Sequence, residues 1–72
     1  MHMNKIMINR EPIELYKVLK FEALVSSGGE AKFVIEQGLV KVNGDLEMRK
    51  RRKLVAGDRI EFDQEFYLLE LE

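Results

Sequence analysis

The sequence predicts an α+β fold, two helices packed on a small, mostly antiparallel sheet with the topology of a single domain, and three observations carry that prediction. Ser27-Gly28-Gly29-Glu30 has the spacing of a capping box and Gly38 follows at helix distance, so one helix is punctuated at both ends. Directly after Gly38 the apolar period switches from helical to alternating, with Val40 and Val42 on one side and Leu39, Lys41 and Asn43 on the other. Asn43-Gly44, a dipeptide suited to the positive φ angles of a tight hairpin, then turns the chain back.

The remaining elements follow in order. Lys5-Ile6-Met7-Ile8 is a short apolar run that suits a strand, and Arg10-Glu11-Pro12 breaks it. Proline is accommodated at the first helical position, and Leu15, Tyr16 and Leu19 repeat at helical spacing after Ile13, so a first helix is expected over 12–20. Phe21 to Val25 reads as a tight connector whose Phe21 and Leu24 return to the core. In the second helix the Ser27 hydroxyl is placed to accept from the Glu30 backbone, and the Glu30 carboxylate to reach back. Ala31, Val34 and Ile35 form its apolar stripe, Lys32 and Glu36 an i, i+4 charge pair, and Phe33 lies off the stripe. The hairpin returns through Leu46 and Met48, and Leu54-Val55 re-enter the core. Ala56-Gly57-Asp58 forms a turn that the Asp58 side chain caps. Arg59 to Phe62 and Phe66 to Leu69 are the last strands.

Length restricts what such a chain can be. Its 72 residues make one domain, 1–72, which buries only about 60–65% of the surface its unfolded form exposes. With no Cys, neither disulfides nor thiolate metal sites support the fold. No stretch approaches the roughly 18 apolar residues of a membrane span, and the start of the chain lacks the apolar core of a signal peptide, so a cytoplasmic location is expected. His2 is the sole imidazole and is given no function. Acid-base chemistry through histidine and a His/Cys metal site therefore have no candidates, and no cofactor is expected. Glu61, Asp63, Glu65, Glu70 and Glu72 alternate with apolar residues as solvent faces of strands do, and the chain is too small to build a cleft around a catalytic carboxylate pair, so no enzyme activity and no catalytic residue are expected.

Charge is the strongest functional signal. Arg49-Lys50-Arg51-Arg52-Lys53 follows Met48 in a chain whose formal net charge is only −1. Residues 1–60 hold twelve Lys and Arg against eight Asp and Glu, while residues 61–72 hold five acids and no base. A concentrated basic patch attracts phosphate-bearing ligands and releases counterions on binding them. The competing reading is a solvated loop that keeps a small protein soluble. As an exposed run, Arg49, Arg51 and Arg52 are expected to be replaceable together by Ala at a cost within about 1 kcal/mol.

Ser26-Ser27, Ala31-Lys32, Ile35, Gly38 and Val40-Lys41-Val42-Asn43-Gly44, followed by Gly57-Asp58 and Ile60, together resemble the S-four RNA-binding domain, or αL motif, over about residues 13–62. Residues 1–12 and 63–72 then flank that core as strands or tails. Lys17, Glu47, Arg49-Lys50-Arg51, Lys53 and Val55-Ala56-Gly57 make the chain similar to the small stand-alone bacterial YbcJ-like proteins. The resemblance implies two helices on a small sheet, with RNA held on a face built from the helices and the hairpin region. The family pattern opens its first helix with Arg-Leu-Asp and its second with Ser-Arg, whereas this chain has Glu14-Leu15-Tyr16 and Ser27-Gly28. Two customary cations are thus absent, and the weight shifts to Lys17, Lys20, Lys32, Lys41 and Arg49 to Lys53.

Together the basic run and the resemblance imply a non-catalytic module that contacts the phosphate backbone of structured RNA, ribosomal or transfer RNA. Arg49, Arg51 and Arg52 would pair with phosphate oxygens through their planar forks, and Lys17, Lys20, Lys32, Lys41, Lys50 and Lys53 would supply point charges. Ser27, Gly28 and Gly29, at a helix N-terminus with bare N–H groups, form a candidate phosphate site, with a flexible helix entry as the alternative. Tyr16 and Phe33 are placed either to stack on an unpaired base or to pack in the core. Double-stranded RNA hides its base edges, so shape and charge rather than base sequence would be read. The alternative function is a protein-interaction module that uses the same basic face, as an accessory of a ribosome or an RNA-modification assembly with a ribosomal or RNA-modification protein as partner.

Overall fold

The computed structural model describes residues 3–72, so His2 lies outside the described residues. Among the described residues seven strands and two helices occur in the order β1 (Met3–Ile8), β2 (Ile13–Glu14), α1 (Leu15–Phe21), α2 (Gly28–Glu36), β3 (Val40–Val42), β4 (Asp45–Leu46), β5 (Lys53–Leu54), β6 (Arg59–Phe62) and β7 (Glu65–Leu71). Five strands form one sheet in the order β1-β7-β6-β3-β4, antiparallel except where β1 runs parallel to β7, and β2 pairs with β5 in a second, two-stranded sheet. The α+β architecture is the one the sequence predicts.

Alternation decides which face of the sheet is covered. Ile6, Ile8, Val40, Val42, Ile60 and Leu69 point to one side and join Leu15, Val18 and Leu19 of α1 and Ala31, Val34 and Ile35 of α2 in a single core. Lys5, Lys41, Arg59 and Glu61 therefore lie on the other side. Leu54 of β5 is fully buried and closes the core next to α1.

The first helix starts at Leu15 rather than Pro12 because Ile13 and Glu14 are extended and pair with Leu54 and Lys53; the Glu11–Pro12 peptide ahead of them is cis. Phe21 and Val55, expected in the core, are exposed, as are the hairpin residues Leu46 and Met48, while Leu24 is partly buried against the core. The α1 end has the hydrogen bonding of a glycine-type stop without a glycine. Leu24 N–H donates to Leu19 C=O at 3.0 Å and Ala23 N–H to Lys20 C=O at 3.1 Å, with Ala23 in the left-handed region at φ 57°. Helix α2 ends in the expected manner, Leu39 N–H donating to Val34 C=O at 3.1 Å around Gly38 at φ 76°.

The capping box forms by a different route. Glu30 N–H donates to Ser27 Oγ at 3.0 Å as expected, but the Glu30 carboxylate accepts from the N–H and hydroxyl of Ser26, at 2.7 and 2.6 Å. These bonds hold the Glu30 pKa below the usual carboxylate value.

Candidate nucleic-acid interface

The first N–H groups of a helix have no partner inside it, and Glu14 at the start of α1 makes no side-chain cap. The basic run supplies the missing acceptors. Leu15 N–H donates to Arg52 C=O at 2.8 Å and Tyr16 N–H to Lys50 C=O at 3.1 Å, so the loop 49–52 is docked on the helix start through its own backbone. That docking brings its side chains to the half-buried Tyr16 ring. Lys32 Nζ of α2 lies 4.9 Å from the ring centre, the Arg51 guanidinium carbon 5.8 Å and Lys17 Nζ 5.9 Å. Cations over an aromatic face at such distances are attracted by its quadrupole. Three segments of the chain thus converge on one ring.

The surface continues in two directions from Tyr16. One helical turn along α1, Lys20 Nζ lies 5.7 Å from the Phe21 ring, and a Cβ built on Gly28 would touch the Lys20 stem at 3.6 Å. On the other side an open groove of about 390 Å³ is lined by Arg10, Pro12, Ile13, Glu14, Lys17 and Lys53. Within that groove Glu14 pairs with Lys17 at 3.2 Å and lies 3.8 Å from Arg51. Sequence reasoning omitted Arg10, because in Arg10-Glu11-Pro12 it read only as part of a strand break. Its signal was the charge itself.

The basic run is far less free than its composition suggests. Glu47 is buried, and each carboxylate oxygen accepts two hydrogen bonds. Oε2 takes the backbone N–H and the Nε–H of Arg49, both at 2.9 Å, and Oε1 takes Arg49 Nη2 at 3.0 Å and Arg52 Nη1 at 2.8 Å. Glu47 N–H in turn donates to Val40 C=O at 3.0 Å, which fixes the acid to β3. The Arg49 fork, opposing the desolvation and aided by Arg52, lowers the Glu47 pKa to about 2. Lys50 Nζ pairs with Glu36 at 3.0 Å, so the expected Lys32–Glu36 pair is replaced by Lys50–Glu36 and Lys32–Tyr16. The expectation that Arg49, Arg51 and Arg52 are jointly dispensable for folding does not fit this geometry. Arg52 is only 30% exposed at its side chain and neutralises a buried acid. Glu47 entered the resemblance as a matched position, and its place two and five residues before arginines was the available sign of its role.

Lys41 is set apart from the cluster, exposed on the far face of the sheet with Leu46 and Glu61 as cross-strand neighbours. At Ser27, Gly28 and Gly29 the helix start already has an internal anion, since the Glu30 carboxylate occupies the Ser26 donors beside it. Phe33 is exposed, whereas Tyr16 is partly buried against the core. Among the described residues no group of three or more His, Cys, Asp and Glu is placed to hold a metal ion, and no helix is long and apolar enough to cross a membrane.

Comparison with known proteins gives three concordant findings. A family model described as the S4 domain matches residues 6–70. The putative RNA-binding protein YbcJ of Escherichia coli is 48% identical over 50 residues, 69% of this chain and 71% of that protein, and the probable ribosome maturation protein RlbA of Bacillus subtilis is 38% identical over 60 residues, 83% and 84% of the two chains. The solution structure of YbcJ from E. coli, described as revealing an αL motif involved in RNA-binding, superposes with a TM-score of 0.72 at 37% identity, covering 97% of this chain and 90% of that one.

Proposed function

The chain belongs to the S4 domain family, and from that premise we propose that it is a non-catalytic RNA-binding module of the cytoplasm. It contacts the phosphate backbone of structured RNA, ribosomal or transfer RNA, and works beside ribosomal or RNA-modification proteins. The similarity to a protein named for RNA binding and to one named for ribosome maturation supports this reading. The single observation that carries it is the convergence of Lys17, Lys32 and Arg51 on Tyr16, which makes one basic surface from α1, α2 and the loop 49–52.

The contacts follow from residue chemistry. Arg10, Lys17 and Lys53 line a groove open to a phosphate, and the Arg49, Arg51 and Arg52 guanidinium groups keep donors beyond those used internally. Lys20, Lys32 and Lys50 extend the field along the helices. The partly buried Tyr16 face, already attractive to cations, offers an unpaired base a stacking surface at the centre of the patch. We assign the α2 start and Lys41 no role in this interface.

A pull-down from cell extract tests the proposal, comparing wild type with a Lys32→Ala/Arg51→Ala variant in ribonuclease-treated and untreated halves and sequencing the recovered RNA. Enrichment of a defined RNA by wild type alone is the expected result. Recovery of the same proteins after ribonuclease, with no enriched RNA, would replace the RNA reading by a protein-interaction module.

A further inference from the structure

We propose that Glu47 is a positioning residue for RNA binding, a buried carboxylate that never touches RNA but holds the Arg49 and Arg52 forks in the orientation in which their remaining N–H groups meet phosphate. The inference rests on the RNA reading above and adds a role for an acid at the centre of a basic site.

Geometry carries it. Each guanidinium has five N–H donors, of which Arg49 commits two and Arg52 one to Glu47. The Arg49 side chain is nevertheless 75% exposed, against 6% for Glu47, so its uncommitted edge faces solvent while its inner edge is clamped. The acid is itself immobile, because all four of its acceptor positions are filled and its own N–H is bonded to β3. Long cationic side chains lose rotamer freedom when they bind, and a clamp made on folding removes that cost from the binding step. The depressed pKa of Glu47 keeps the clamp charged at any physiological pH.

Positioning and plain electrostatics predict opposite signs. A carboxylate among phosphate-binding cations repels RNA, so charge alone makes Glu47→Gln bind more tightly. Loss of the clamp makes it bind more weakly, by roughly tenfold if ordering two arginines is restored to the binding step.

The experiment measures filter binding of labelled, refolded ribosomal RNA fragments to wild type, Glu47→Gln, Arg49→Lys and the Arg49→Ala/Arg52→Ala pair with and without Glu47→Gln. All are assayed well below their melting temperatures. The expected result, with both arginines present, is weaker binding by Glu47→Gln and by Arg49→Lys, which keeps the charge but loses the fork, and no weakening by Glu47→Gln once both arginines are gone, where only the charge effect is left. A purely structural Glu47 would weaken binding equally in both backgrounds, which overturns the inference. Equal or tighter binding by Glu47→Gln with both arginines present also overturns it. Should Glu47→Gln fail to fold, unchanged affinity in Arg49→Lys overturns it and weaker binding supports it. Wild type that leaves the RNA unbound removes the RNA reading itself, an outcome separate from all of these.

Discussion

Asn43 Nδ2 donates to Asp58 Oδ1 at 3.1 Å, joining two turns 15 residues apart into one unit. Asn43 Oδ1 also accepts from Arg59 N–H at 2.9 Å, its own N–H donates to Arg59 C=O at 2.8 Å, and Asp58 Oδ2 accepts from Val55 N–H at 2.9 Å. The Val-Asn-Gly and Gly-Asp signatures, separate in sequence, are thus two halves of one hydrogen-bonded corner. Asn43 is doubly suited to it, since its backbone stands at φ 54°, a region that asparagine tolerates better than most residues.

Asn43→Ala should accordingly destabilise the fold by about 2 kcal/mol, combining lost side-chain bonds with left-handed strain. Asp58→Ala should remove part of the same energy, so the double variant is expected to be less unstable than the two single changes added together. Urea denaturation of the four proteins checks this, and strict additivity would show that the corner is not a unit.

Much of this architecture was legible because local and tertiary demands agree. The α2 stop at Gly38 and the Asn43-Gly44 hairpin need special φ angles, and the residues there advertise it. Where a non-glycine residue takes the same conformation the sign disappears. Ala23 at φ 57° and the Asp63-Gln64 turn at 55° and 66° gave no such punctuation, and the boundaries beside them, α1 ending at Phe21 and β7 beginning at Glu65, rest on the apolar pattern alone. The first helix was placed too early because Pro12 suits a first helical position, whereas Ile13 and Glu14 are held extended by pairing with Leu54 and Lys53 of β5, which no local pattern records. Within the site, the cations could be read directly. Their division between an inward clamp on Glu47 and an outward face around Tyr16 depends on which side chains the fold brings together.

That division separates neighbours in the basic run. Arg51→Ala is expected to change stability by no more than about 0.5 kcal/mol, as for other exposed positions. Arg52→Ala leaves the buried carboxylate to Arg49 alone and should cost about 2 kcal/mol, the loss of one hydrogen bond to a charged group. Thermal melts of the two variants in the same buffer measure the contrast. Equal melting temperatures would mean that Arg52 adds nothing to the Glu47 clamp.

Acid should reveal the same clamp. Glu47 has its pKa lowered from 4.5 to about 2 on folding, so the folded state favours the ionised form and the contribution is complete above the unfolded value. It is lost as the pH falls from about 4.5 through about 2 and amounts to about 3 kcal/mol at most. Wild-type stability should therefore drop steeply across that window, and Glu47→Gln, less stable at neutral pH, should show a shallower decline. Denaturation midpoints at pH 7, 5, 4 and 3 check it, with parallel curves as the contrary result.

The last prediction concerns which side of the sheet faces RNA. Lys32 and Lys41 are both single lysines in the chain region that carries the family signature, and composition gives no reason to rank them. The fold does. Lys32 lies 4.9 Å from the Tyr16 ring, beside Arg51 and Lys17, whereas Lys41 alternates with the core residues Val40 and Val42 and so projects from the opposite face. A phosphate contact contributes roughly one unit to the slope of log affinity against log salt, and a charge on the far face contributes only long-range attraction that salt screens. Lys32→Ala should weaken binding to refolded ribosomal RNA several-fold and lower that slope by about one. Lys41→Ala should leave the slope unchanged and the affinity within about twofold at physiological ionic strength. A fall in slope with Lys41→Ala and none with Lys32→Ala would move the interface to the open face of the sheet.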